Sequence, residues 1–388
     1  MLSLTLVSLL LPALSAVVRP VAASPCIAMD TSFNLLVFGV DGKDYNAGTQ
    51  DSWTSGTASD ITATGRPPFD GSNTTCYLAQ FFNAVYVLNG DASNPTDVYI
   101  YDATAKSWTT QTVKAADVSS FDLTSLKAIL DHDTNVFYAM SKGEIFFLDM
   151  KSLTAASSDT LTWGDAGASS WGDLSSYEPV MAIAQNHIHF IGVPGLQAGQ
   201  ADIFVIHFSY FQPEAQSYSS DFPETHGQAV SFFQDSGVQQ EFAFVPDDGS
   251  ATYVINVETN TTQTLAGPST KDAGAQYFAG KTSLVQLSST DGSLAFLPYT
   301  QGNDNSGAKW TSITAVSVPS SSSSSASGSL SNGTSSSGSG KGNSTSTGSA
   351  SGLAASQSST TSDSGAGHVV MNVVGMMAGV AALTAILL

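Results

Sequence analysis

The sequence predicts an all-β protein, a β-propeller of six blades followed by a disordered Ser/Gly/Thr-rich stalk. Three observations predict it. Pairs of short β-forming runs joined by turn residues recur along the chain. Aromatic residues follow these pairs at a regular interval: Trp53, Trp108, Trp163 and Tyr218 are each 55 residues apart. No segment between the two ends shows a sustained helical apolar period with caps; the nearest is "SSFDLTSLKAIL" (119–130), whose end reads equally as a strand.

The chain opens on an uncharged apolar run, "MLSLTLVSLLLPALSAVV", with small residues at Val21-Ala22-Ala23. This is a signal-peptide pattern lacking the usual basic start. It sets residues 1–23 apart, with cleavage near Ser15 or Ala16 as the alternative site. Residues 24–318 are the propeller domain, about 295 residues. Residues 319–364 are dominated by Ser, Gly and Thr and carry too little apolar surface to offset their ordering entropy. Residues 365–388 end in the apolar tail "VVMNVVGMMAGVAALTAILL". Small residues Ser364-Gly365-Ala366 just upstream, a short spacer and that tail make a glycolipid (GPI) anchoring signal, with attachment at Ser364. A single membrane helix is the alternative, since the tail has the length to span a bilayer. Stalk and tail together resemble the GPI-anchored surface proteins of fungi. The expected location is therefore the outer face of the plasma membrane, with transfer to the cell wall as an extension.

Within the domain each unit reads as strand, turn, strand, then an aromatic. "NAVYVLNG" (83–90) and "DVYIYDATAKSW" (97–108) lead to Trp108. "NVFYAMSKGEIFFLDM" (135–150) leads to Trp163, and "NHIHFIGV" (186–193) with "ADIFVIHF" (201–208) leads to Tyr218. "NLLVFGV" (34–40) precedes Trp53, and "SLVQLSSTDGSLAFLPY" (283–299) precedes Trp310. "EFAFVPDDGSATYVINVETN" (241–260) repeats the pair without a marker. Six units give a period near 50 residues, the repeat of propeller blades. Six are preferred to seven because the chain has no residues for another. Ring closure then requires residues 26–40 to touch residues 283–318.

The block "YIYDATAKSW" and the run "GRPPFD" (65–70), placed before the inner strand "CYLAQ", resemble the kelch and galactose-oxidase-like propellers. The paired glycines of those families are replaced here by "LNG", "AMS", "IGV" and "VPDDG". The alignment of "CIAMDTSFNLLVFG" with "CYLAQFFNAVYVLNG" puts Cys26 and Cys76 at equivalent positions of adjacent blades. A disulfide between them is expected in an exported chain. Galactose-oxidase chemistry needs a cysteine cross-linked to a tyrosine beside copper, so that pairing removes it. Sialidase chemistry needs several arginines, and the chain without residues 1–23 keeps only Arg66.

The net charge of −20, with 12 basic and 32 acidic residues, excludes a phosphate-tracking surface and hence nucleic acid as a partner. Sequons at Asn73, Asn260, Asn332 and Asn343 mark candidate N-glycosylation sites. His187 and His189 lie two apart on one predicted strand, with His207 on its neighbour, a weak constellation for zinc or copper. Asp-rich turns at 131–135, 246–249 and 302–305 are weak calcium candidates. "GAQYFAGKTS" (274–283) misses the phosphate-loop spacing by one residue. No cofactor or metal is assigned. The leading expectation is a monomeric, non-enzymatic surface binding or scaffold module with a carbohydrate or protein ligand. The alternative is a wall-acting glycoside hydrolase with acidic residues in the propeller channel.

Overall fold

The computed structural model describes residues 23–219 and 222–316. The signal segment, Asn332, Asn343, the stalk and Ser364 lie outside the described residues. Blade 1 comprises β1 (Cys26–Met29), β2 (Leu35–Val40), β3 (Lys43–Asn46) and β4 (Ser59–Asp60). Blade 2 comprises β5 (Thr75–Ala79), β6 (Ala84–Leu88), β7 (Val98–Asp102) and β8 (Ser107–Gln111). A short β9 (Val113–Lys114) follows it. Blade 3 comprises β10 (Lys127–Asp131), β11 (Val136–Ser141), β12 (Glu144–Asp149) and, after β13 (Leu161–Thr162), β14 (Gly164–Ala168). β13 pairs in parallel with β9, tying blade 3 to blade 2.

Blade 4 comprises β15 (Val180–Ala184), β16 (His187–Ile191), β17 (Gln200–Val205), β18 (Tyr210–Phe211) and β19 (Gln216–Ser217), the last two both paired with β17. Blade 5 comprises β20 (Gly227–Ser231), β21 (Glu241–Pro246), β22 (Ala251–Asn256) and β23 (Thr261–Ala266). Blade 6 comprises β24 (Gln276–Ala279), β25 (Ser283–Leu287), β26 (Leu294–Pro298) and β27 (Thr311–Ser312). Every pairing within a blade is antiparallel.

The sequence grades outward in each blade, and that gradient sets the order. Second strands such as "AVYVL" and "LLVFGV" are apolar throughout and buried throughout. A continuous apolar run suits a strand covered on both faces. Fourth strands such as "SWTTQ" and "TTQTLA" are mostly polar and only partly buried, as suits a rim strand. The residues 97–108 form β7, a turn and β8: Asp102 Oδ1 accepts from the amides of Thr104 and Ala105 at 2.8 Å each, and Trp108 sits opposite Tyr101. The doubtful segment 119–130 is a loop that ends in β10, not a helix.

The six inner strands β1, β5, β10, β15, β20 and β24 pack side by side around one axis, β24 returning to β1. Among the described residues closure uses no shared strand. Instead Trp53 O accepts from the amides of Thr314 and Ala315 at 2.9 and 3.0 Å, and Ala58 N donates to Ala315 O at 2.8 Å. Trp53 also packs edge-on against Phe296, ring centroids 5.1 Å apart. Residues 26–40 and 285–316 also share one buried core, so the terminal segments meet as the ring requires. Cys26 and Cys76 form a disulfide between β1 and β5, with Cα atoms 5.7 Å apart.

The aromatic markers all lie at the outer side of their blades, though not in one register. Trp108 is on a fourth strand, Trp163 and Trp310 directly precede one, and Trp53 precedes β4 by several residues after a 3-10 turn. Trp53, Trp108, Trp163 and Trp310 pack in clusters shared with the preceding blade. Tyr218 differs: it faces blade 5, beside Phe242 and Phe244. The interface between blades 3 and 4 is served instead by Trp171, which packs at a tilt against Phe190 and edge-on against Phe211 and donates from Nε1 to Gln212 O at 2.9 Å. The 55-residue spacing therefore tracks blade length, while the packing partner depends on the loop that carries each ring.

Candidate functional site

The inner strands enclose an axial channel of about 210 Å³. Its wall is largely apolar, with Ile27, Leu78, Ile129, Met181, Ile183 and Phe278 among the lining side chains. Polar groups gather toward one end, where Asn73, Thr96, Lys127, His226 and Gln228 border the mouth. None of the described lining residues is Asp or Glu. That volume falls below the roughly 300–1,000 Å³ of pockets that engulf a drug-sized ligand. It suits a small molecule or the end of a chain.

The opposite end is covered by a single loop, residues 232–240, between β20 and β21 of blade 5. It reaches every other blade. Phe233 packs edge-on against Phe33 of blade 1 and His132 of blade 3, and stacks on Phe278 of blade 6, with centroids 6.2, 5.6 and 5.8 Å away. Gln80 Nε2 of blade 2 donates to Gln234 O at 3.0 Å, and Gln185 N, just after β15 of blade 4, donates to Gln239 O at 2.8 Å. Phe233 N donates to Gly280 O at 3.2 Å. The loop lies across the end like a stopper, so the channel is a well entered from the mouth. Phe33 holds a left-handed backbone at φ 57°, uncommon for a bulky residue, with the Lys281 ammonium 4.9 Å above its ring. Replacing Gln80 with Ala should cost about 1 kcal/mol. It should also speed amide hydrogen exchange across 232–240 more than elsewhere; uniform exchange would contradict the stopper role.

His132 is buried beneath this loop, stacked on the exposed ring of Phe81 at 5.9 Å. Its Nε2 lies 3.4 Å from Asp133 Oδ1, and its Nδ1 has no hydrogen-bond partner. Burial holds its pKa below the usual range, against the pull of Asp133 and Asp131.

The three weak metal candidates do not converge. His187 and His189 fall on β16, the second strand of blade 4, as the repeat predicts. His189 is fully engaged: the Tyr218 hydroxyl lies 2.6 Å from Nδ1, and Nε2 faces Ala184 O at 3.4 Å. This arrangement fits the neutral Nε2–H tautomer, with Tyr218 donating. Burial pushes His189 down to about 3. His187 is half-buried and held low by burial and by His207, which stands on an exposed 3-10 turn after β17. Among the described residues no group of three or more His, Cys, Asp or Glu is placed to hold a metal.

In each Asp-rich turn one carboxylate accepts from its own backbone, while Asp133 and Asp247 face His132 and His226. Asp131 Oδ1 accepts from Asp133 N, Asp248 Oδ1 from Ser250 N and Asp304 Oδ1 from Ser306 N, at 3.2, 2.8 and 2.9 Å. These are Asx turns. The phosphate-loop lookalike contains the inner strand β24. Asn73 is exposed beside the mouth, whereas Asn260 is half-buried in the β22–β23 turn.

Acid titration tests the His189 contact. Its folded pKa lies below the unfolded value of about 6.5, so below that pH the unfolded chain binds more protons. Stability should fall as pH drops from about 6.5 toward about 3, by up to about 1.4 kcal/mol per pH unit. His189→Gln should flatten that slope in paired denaturant melts at pH 7 and pH 4.5. The pairing cancels other groups, including Asp202, whose carboxyl burial raises to about 6. Equal slopes would contradict the assignment.

No protein-family model matches the chain, and no curated protein matches it. Among solved structures it is similar to PorZ, described as an essential bacterial surface component of the type-IX secretion system of Porphyromonas gingivalis. The identity is 12% and the TM-score 0.40, over 74% of this chain and 32% of that one. The chain thus spans about a third of PorZ's length.

Proposed function

We propose that this protein is a cell-surface or cell-wall binding or scaffold module of kelch-like type, non-enzymatic, that takes the end of a carbohydrate or protein ligand into the axial well. The observation that carries this reading is the well itself: stoppered at one end, apolar along its wall and bordered by amide, hydroxyl and basic side chains at its mouth. Such a combination of apolar lining and a few convergent polar groups is the usual make-up of a binding site. A glycan on Asn73 would stand beside the mouth and restrict approach from that side. In this reading the domain is exported through residues 1–23 and displayed on the Ser/Thr-rich stalk by a lipid anchor at Ser364. A glycoside hydrolase would need two carboxyl groups roughly 5–10 Å apart in the site, and the described lining offers neither.

A glycan array, a capture assay with cell-surface proteins and a hydrolysis screen on the 24–318 fragment test the reading together. Saturable binding without turnover is expected. Thr96→Trp, which places a large ring at the mouth, should abolish that binding without unfolding the domain. Hydrolysis products, or binding unaffected by Thr96→Trp, would overturn it.

A further inference from the structure

Lys127 opens β10 and lines the well at its mouth. It is the only charged residue at the first position of an inner strand; the others are Cys26, Thr75, Val180, Gly227 and Gln276. Its surroundings are unusual for this chain. With 32 acidic residues against 12 basic ones, a lysine here has many potential partners. Lys43, Lys142 and Lys281 each take one, in pairs with Asp60, Asp122 and Asp235. Lys106, Lys114, Lys151, Lys271 and Lys309 take none among the described residues but stand exposed to solvent, whereas Lys127 is half-buried. Lys127 makes no ion pair or side-chain hydrogen bond among the described residues, and the wall it stands in contains no carboxylate. The other basic group of the lining, His226, is already held between Asp247 at 2.8 Å and Glu178 at 3.6 Å. Below Lys127 the wall continues as Ile129, Met181, Ile183 and Phe278.

Resting on the well as a binding site, we propose that the part of the ligand that enters it is an apolar group bearing a carboxylate, with Lys127 at the mouth as its counter-charge. The apolar portion gains by leaving water along the strand side chains. The carboxylate stays at the mouth, where it meets an ammonium that has no internal partner to give up. The acidic exterior repels anions at long range, so recognition is confined to ligands whose apolar part is favourable enough to enter. A neutral sugar end would leave Lys127 unused, and a cationic one would be repelled by it.

Isothermal titration of the purified full chain with octanoate and with octanol separates the two claims. Octanoate is expected to bind about tenfold more tightly than octanol, the size of one charge-assisted contact. Lys127→Met should remove that preference while leaving octanol binding in place, and Lys127→Arg should restore it. Equal binding of the two probes by the wild-type chain would overturn the carboxylate inference and leave the well standing as a site. The same holds for a preference that survives Lys127→Met. Binding of neither probe would overturn both.

Discussion

Replacing Arg66 with Ala is expected to lower stability by about 3–5 kcal/mol, the cost of leaving a buried charge without its partner. Asp44 has no solvent exposure. Its Oδ1 accepts from Gly39 N at 3.0 Å and from the Arg66 guanidinium at 2.6 Å, and its Oδ2 accepts from Arg66 Nε at 2.9 Å. Arg66 also donates to Gly42 O at 2.8 Å and lies over the Phe69 ring at 4.9 Å. The "GRPPFD" run is thus a bracket that fixes the β2–β3 turn against the chain entering blade 2. A lysine cannot make the two-pronged contact or stack on the ring, so Arg66→Lys should recover only part of the loss. Arg66→Met with Asp44→Asn should recover more than Arg66→Met alone, because the orphaned charge is gone. Guanidinium unfolding of the four variants reads this directly; a loss under about 1 kcal/mol for Arg66→Ala would place the pair among ordinary surface bridges.

Loss of the Cys26–Cys76 bridge is expected to cost about 4 kcal/mol, from the chain entropy of a loop closed over 50 residues. The location adds to this. Blade 1 has the shortest rim, β3 and β4 being four and two residues long. It also carries the seam where the two ends of the ring meet, among the described residues, without exchanging a strand. Cys26→Ala with Cys76→Ala should therefore raise hydrogen exchange first in residues 24–60 and 311–316. Exchange rising equally in all blades would show that the bridge acts only on the unfolded chain.

Much of the fold was legible in the residues. Second and third strands announce themselves as short apolar runs with Asn, Asp or Gly turns between them, and the aligned cysteines marked two inner strands. The inner strands of blades 4, 5 and 6, "VMAIA", "GQAVS" and "QYFA", were not read, because four or five residues without a marker carry little signal. Trp171 was missed because it follows its blade's predecessor instead of ending a strand pair. Tyr218 was visible only as a spacing marker, since its partner His189 lies on another strand. The well was not legible at all. Ile129, Met181 and Phe278 look like any buried residues until the ring closes around them. "SFFQDSGVQQE" reads locally as a strand end and a turn, and only the positions of the other five blades make Phe233 a stopper.

A crystal structure of the ligand-bound protein tests the central claim most directly, that the axial well is the binding site. Ligand density is predicted inside the well, its apolar part against Ile129, Met181 and Phe278 and its polar end at the mouth near Lys127, with residues 232–240 still across the opposite end. Ligand held on the outer rim of the blades, with the well unchanged, would contradict it.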